Sequence, residues 1–152
     1  MVVYRIAKTR HIHDLSGTGA RTYGGRWNNK GISIIYTSEN RALATVEYLV
    51  HAPLSIVPID IRIASLTIPN GINQKELSLP DLLANWRDYP APPELAELGT
   101  QWALTNDTLL LRVPSVVVEH EFNILINPLH PDMRHVVISH IEEYRFDVRL
   151  LG

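Results

Sequence analysis

The chain has 152 residues, 45% hydrophobic and 20% charged, which suits one domain with a buried core and is too apolar for a disordered segment. Lys and Arg total 14 against 16 Asp and Glu, a net charge of -2, so the basic excess of a general nucleic-acid binder or a polybasic membrane-surface module is missing. There is no cysteine, which excludes disulfides, thiol nucleophiles and thiolate metal sites.

The N-terminus, MVVYRIAKTRHIHDL, lacks a secretory apolar core, and charges interrupt every long apolar run. A soluble, cytoplasmic, single domain over residues 1–152 is expected. Residues 2–6 predict a short strand. Residues 16–31, containing SGTGA and YGGRWNNKG, are too glycine-rich for a helix and predict a long loop of the kind that often carries function. Residues 32–36 form an apolar, β-prone run and predict a buried strand. In TSENRALATVEYLVH, Ser38 is placed to cap a helix, with Glu39 near its positive end. Leu43, Val46 and Val50 then form an apolar stripe, Glu47 flanks it, and His51-Ala52-Pro53 ends the helix.

Residues 54–63 predict a strand, with Pro58 marking an edge or bulge. Residues 69–93 read as irregular, with a short helix near Leu82. Pro92-Pro93 opens a second main helix through Leu95, Leu98 and Trp102, and Asn106-Asp107 ends it. Short strands are expected at 109–113, 115–118, 122–126, 136–139 and 146–150. The fold class is α+β, a single compact domain with a mixed or antiparallel sheet and flanking helices.

Four places could carry chemistry. In Gly24-Gly25-Arg26-Trp27-Asn28, the glycines allow close backbone approach, the arginine can grip a phosphate or carboxylate, and the tryptophan can anchor the loop. A plain surface turn is the simpler reading, and neither a Walker A loop nor a dinucleotide-binding glycine fingerprint is present. Glu47 beside an apolar stripe is either a buried ion pair, with Arg5 or Arg26, or a pocket carboxylate; the residues alone leave both open. Tyr36, at the end of the strand entering that helix, belongs to the core or lines the same cleft. Ser115 after Pro114 is a turn hydroxyl by default, since no nucleophile-elbow motif surrounds it. The seven histidines include His11-x-His13 but no His-Glu-x-x-His, and no metal site is assigned.

Taken in order, SGTGA, GGRWNNKG, IIYTSENRALATVEYLVH, LRVPSVVVEHEFNILINPLHP and a closing FDVRL resemble the RES domain family, the toxin half of RES–Xre toxin–antitoxin pairs. The resemblance runs from Tyr4 to Leu150. The family is named for an Arg, a Glu and a Ser, matched here by Arg26, Glu47 and Ser115, with Arg5 a second arginine at a family-typical place. It implies an ADP-ribosyltransferase-like fold and a type II toxin that cleaves NAD at the nicotinamide–ribose bond, by hydrolysis or phosphorolysis, and so arrests growth. Modification of a host protein by mono-ADP-ribosylation is the alternative. Arg26 would then hold the phosphate and ribose portion, with Arg5 also NAD-binding. Tyr36 would stack near the nicotinamide, Glu47 would be the catalytic carboxylate, and Ser115 would line the pocket and orient the substrate. NAD is implied as substrate, not prosthetic group, with inorganic phosphate as a further co-substrate. The implied partners are a Xre-type antitoxin that blocks the active site and a second copy of the chain in a homodimer, with no direct nucleic acid and no membrane.

The implied chemistry agrees with the residue types. Nicotinamide leaves the ribose as a neutral base, so one carboxylate suffices where ordinary glycoside hydrolysis wants two. Two readings of other classes compete: a non-catalytic module in which Arg26 and Glu47 pair in the core, and a ribonuclease. The near-neutral charge and the lack of a convincing His–His or His–Glu pair weigh against the latter.

Overall fold

The computed structural model describes residues 1–52 and 57–152. Seven strands form one sheet: β1 (Val2–Lys8), β2 (Ile35–Ser38), β3 (Ile61–Thr67), β4 (Gln74–Glu76), β5 (Leu110–Pro114), β6 (Phe122–Ile126) and β7 (Val137–Glu143). Three α-helices accompany them among the described residues: α1 (Thr18–Tyr23), α2 (Arg41–His51) and α3 (Pro93–Thr105). The spatial order is β4-β5-β6-β2-β1-β3-β7. Among the described residues only the β4–β5 pair is parallel, so the sheet is mixed and the α+β expectation holds.

Strand periodicity divides the core. Ile35, Leu110, Ile124 and Ile126 pack on one face with Val3, Ala64 and Leu66, and are closed off by Ile12, Ile68 and Leu109. Leu111, Val113 and Leu125 point to the other face and meet Trp27, Ile34, Trp86, Leu95 and Trp102. Register keeps the faces consistent across the sheet: Ile126 lies opposite both Ile35 and Leu110, and Leu125 opposite both Tyr36 and Leu111. Tyr36 and Ser38 therefore stand on the second face, beside Asn123, which pairs with Ser38.

Several local expectations are corrected. The glycine-rich stretch 16–31 is not all loop, because Thr18–Tyr23 makes a short helix that Gly17, at φ 72°, allows the chain to enter. The strand expected at 32–36 begins at Ile35 and runs on to Ser38. Ser38 consequently sits in the sheet, and Asn40 caps α2 instead, its Oδ1 accepting the Leu43 amide at 2.7 Å. The buried face of α2 is Leu43, Ala44, Thr45 and Leu49, while Val50 is 56% exposed. Leu49 packs in a separate cluster with Ile61 and Phe146, while Val46 is only half-buried.

Of the strand expected at 54–63, residues 53–56 lie outside the described residues. Strand geometry starts only at Ile61, one residue after Asp60 at φ 58°. Residues 115–118 form a turn, and Val148–Leu151 is a 3-10 helix where a strand was expected. Near Leu82 there is one 3-10 turn, Leu79–Asp81, closed by a Ser78–Asp81 capping box. The strand at 122–126 and the helix opened by Pro92-Pro93 and ended at Asn106, in the left-handed region, are as expected. Among the described residues, no helix is long and apolar enough to cross a membrane.

Candidate active site

The Gly25–Asn28 segment closes on itself. The Gly25 amide donates to the Asn28 carbonyl at 3.0 Å and the Asn28 amide returns to Gly25 at 3.4 Å. Arg26 and Trp27 occupy the two central positions of this turn and part company. Trp27 is 3% exposed and enters the core with Leu95 and Trp102. Arg26 faces a cleft. Glycine at 25 is required by close approach: a Cβ there would lie 2.7 Å from the Tyr36 hydroxyl.

Asn28, 1% exposed, locks the turn from below. Its Nδ2 donates to the carbonyls of Ala20 at 2.9 Å and Ile32 at 3.1 Å. Its Oδ1 accepts from the Tyr36 hydroxyl at 2.6 Å, and that hydroxyl accepts from the Trp27 amide at 3.2 Å. Burial pushes the Tyr36 phenol well above its ordinary range, so it remains a hydrogen-bond donor.

The Arg26 guanidinium is aimed by backbone. Nη1 donates to the Trp86 carbonyl at 2.8 Å and Nη2 to Asp88 at 3.2 Å. Burial lowers its pKa from the ordinary arginine value, against which the charges of Glu47, Tyr36 and Tyr89 act. Its other donors have no partner among the described residues. Arg5, on β1, donates from Nη1 to the carbonyls of His11 at 3.2 Å and Ile12 at 2.9 Å. Burial lowers its pKa too, with Asp14 opposing.

Glu47 is not paired with either arginine. Its Oε1 accepts from Ser115 Oγ and from Asn123 Nδ2, each at 2.7 Å. Ser115 Oγ in turn accepts the amides of Val117 and Val118, both at 3.1 Å. Ser38 Oγ donates to Asn123 Oδ1 at 2.7 Å. The Ser115 hydroxyl is therefore fully engaged: it donates its proton to a hydrogen bond with Glu47 and accepts from two amides, which leaves nothing for nucleophilic work. Ser115 is 2% exposed and stands behind Glu47, outside the ring of residues that lines the cleft.

That cleft has a volume of about 1240 Å³ and opens between β1, β2, α2, the Arg26 turn and the 87–91 segment. Arg5, Lys8, Arg26 and Arg87 line it together with His51, and Glu47 is the single carboxylate among its described lining residues. Arg87 is ion-paired with Glu119 at 2.6 Å, so Arg5, Lys8 and Arg26, which have no ion-pair partner among the described residues, are the permanent cations that a protein of net charge -2 sets around one glutamate. That field favours a ligand bearing more than one negative charge. No cluster of three or more His, Asp or Glu suited to a metal occurs among the described residues.

The structure brings Arg5, Arg26, Tyr36 and Glu47 into one cleft and places Ser115 directly behind it. Sequence reasoning missed Asn123 and Asn28 as parts of the site. Asn123 carried a usable signal, since alternation on β6 sets it off from Ile124 and Ile126 and puts a polar side chain on the Tyr36 face. Asn28 had only its place in the quoted GGRWNNKG, because its partners are carbonyls of the following and preceding turns.

Known proteins resemble the chain over nearly its whole length. The RES domain family matches residues 2–147. The chain is 37% identical over 147 residues to a Sphingobium protein named Prs ADP-ribosylating toxin, covering 95% of this chain and 91% of that protein. It is 37% identical over 153 residues to Toxin Res of Yersinia enterocolitica, covering 99% of each. Toxin Res of Pseudomonas putida is 33% identical over 153 residues, again covering 99% of each. Among solved structures, the M. tuberculosis MbcT–MbcA toxin–antitoxin complex contains a chain of the same fold, with a TM-score of 0.73 at 17% identity, covering 99% of this chain and 86% of that one. With the family match spanning nearly the whole sequence, the chain belongs to the RES domain family.

Proposed function

We propose that the protein is the toxin of a toxin–antitoxin pair and that it breaks the nicotinamide–ribose bond of NAD. The observation that carries this reading is the single held carboxylate in a cation-lined cleft. NAD brings a diphosphate, which Arg26 can grip with the donors it has left after bonding Trp86 and Asp88. It also brings a pyridinium leaving group that departs neutral, so no general acid is needed. Positive charge develops on the ribose as the bond stretches, and a preplaced anion stabilises it without reorganising. Tyr36 lines the cleft and restrains the nicotinamide ring, and Arg5 supplies a second cation. Ser115 acts on Glu47 and through it on the substrate.

The acceptor names the reaction. Water makes a glycohydrolase and inorganic phosphate a phosphorylase. A protein side chain makes a mono-ADP-ribosyltransferase, a reading favoured by the Sphingobium relative, which is named as an ADP-ribosylating toxin. Labelled NAD incubated with the purified protein, with and without phosphate and host extract, separates the three. Free ADP-ribose, its phosphate ester, or label fixed on a macromolecule are the respective products, and intact NAD in every arm defeats the proposal.

In this reading a Xre-type antitoxin covers the cleft. Tyr23, Ile59 and Tyr89 line it at 80%, 70% and 89% exposure and offer such a partner apolar surface. The toxin acts in the cytoplasm, as a homodimer within the complex.

Arg26→Lys tests the diphosphate grip. An ammonium cannot bond two backbone carbonyls and still present a flat fork to the ligand. The expected result is an NAD KM raised roughly tenfold or more, with a smaller change in kcat. An unchanged KM would remove Arg26 from the binding role.

A further inference from the structure

The Glu47 carboxylate is seated asymmetrically. Oε1 takes both donors, Ser115 Oγ and Asn123 Nδ2, whereas Oε2 has no partner among the described residues. We infer that Asn123 is a positioning residue: with Ser115 it pins Oε1 and so selects Oε2 as the oxygen offered to the ribose of the bound dinucleotide. The inference rests on the NAD reading above.

The polarity of the network admits one arrangement. An amide facing a carboxylate must present its NH2 group, because its carbonyl would set oxygen against oxygen. Asn123 Oδ1 then points away and accepts the Ser38 hydroxyl at 2.7 Å. Ser38 lies opposite Asn123 in the β2–β6 register, so the sheet itself fixes the amide plane. On the other flank, the amides of Val117 and Val118 occupy Ser115 Oγ and turn its proton toward Glu47. Both relays, Ser38 through Asn123 and the two amides through Ser115, end on Glu47 Oε1.

One donor could hold the carboxylate in place, but it would leave the group free to pivot about that bond. Two donors from different elements, the turn after β5 and strand β6, define its plane. Asn123 also lines the cleft, so it reaches the site while acting on the glutamate.

Steady-state NAD cleavage by Asn123→Ala and Asn123→Asp tests the assignment. Alanine removes one donor, and kcat should fall roughly tenfold or more while KM stays within about threefold. Aspartate keeps the shape yet replaces the donor by an acceptor that sets a second anion against Oε1. Its kcat should fall further than that of alanine. A residue needed only for its shape gives the opposite order, with aspartate the milder change, and that order overturns the inference. A crystal structure of Asn123→Ala reads the same point without substrate. Glu47 leaving Ser115, or divided between rotamers, supports the assignment; an unmoved carboxylate defeats it. A wild type that leaves NAD intact would overturn the NAD reading, while the crystal structure still decides on Asn123.

Discussion

Glu47→Gln is expected to lower NAD cleavage by about 10²–10³-fold and to abolish growth arrest, with the fold intact. The replacement keeps the side chain's size, and a glutamine oxygen can still accept from Ser115 and Asn123 where Oε1 does now. What changes is the group facing the cleft: an NH2 donor stands where an anionic oxygen stood. A donor next to a ribose that is gaining positive charge gives no stabilisation. The loss should therefore fall on kcat, with KM little altered, because the arginines that hold the diphosphate are untouched. Intracellular NAD after induction, wild type against Glu47→Gln, is the direct measurement. Continued NAD loss in the variant would remove Glu47 from the chemistry. The competing non-catalytic reading needs an Arg26–Glu47 pair, and the hydrogen bonds of both side chains go elsewhere.

How much of this site was legible in the sequence depends on whether the cue was local. Arg26, Tyr36 and Glu47 could be singled out because each has a local mark: glycines before the arginine, a strand end, and a carboxylate at helical spacing on an apolar flank. Their convergence in one cleft was offered by the strand-end position of Tyr36 and by the family resemblance; spacing alone does not give it, since it depends on the antiparallel pairing of β1, β2 and β6. Ser115 was placed by family resemblance, but its partner was not, because the hydroxyl reaches Glu47 across 68 positions of chain. The helix at 18–23 was missed because Gly17 and Gly19 lower local helix propensity, and propensity yields when tertiary contacts favour a turn of helix. The strand expected at 115–118 was misread for a related reason. Val116, Val117 and Val118 have high β propensity, yet two of their amides turn back to Ser115 and leave the ladder.

Gly99→Ala is expected to destabilise the protein by at least about 2 kcal/mol, against the ordinary rule for helices. Gly99 lies inside α3, where alanine is intrinsically better by about 1 kcal/mol. At this position, however, a Cβ would lie 1.8 Å from the Trp27 carbonyl oxygen and 2.7 Å from its carbon. Both are backbone atoms, so no rotamer change relieves the overlap and the helix must separate from the turn. That separation would pull at three further contacts. The Asn29 amide donates to Thr100 Oγ1 at 3.0 Å, Asn29 Nδ2 donates to Glu97 Oε1 at 2.8 Å, and Trp27 packs in one core cluster with Leu95 and Trp102. Because Trp27 and Arg26 are adjacent in the same turn, displacing one re-aims the other, and NAD cleavage by the folded fraction should fall as well. Gly19→Ala is the matched control. It also lies in a helix, has no neighbour within 4 Å of the added Cβ, and should gain up to about 1 kcal/mol. Urea unfolding of both variants measures the difference. A Gly99→Ala protein as stable as wild type would mean that α3 does not set the position of the arginine turn, and that the close contact between them yields at little cost.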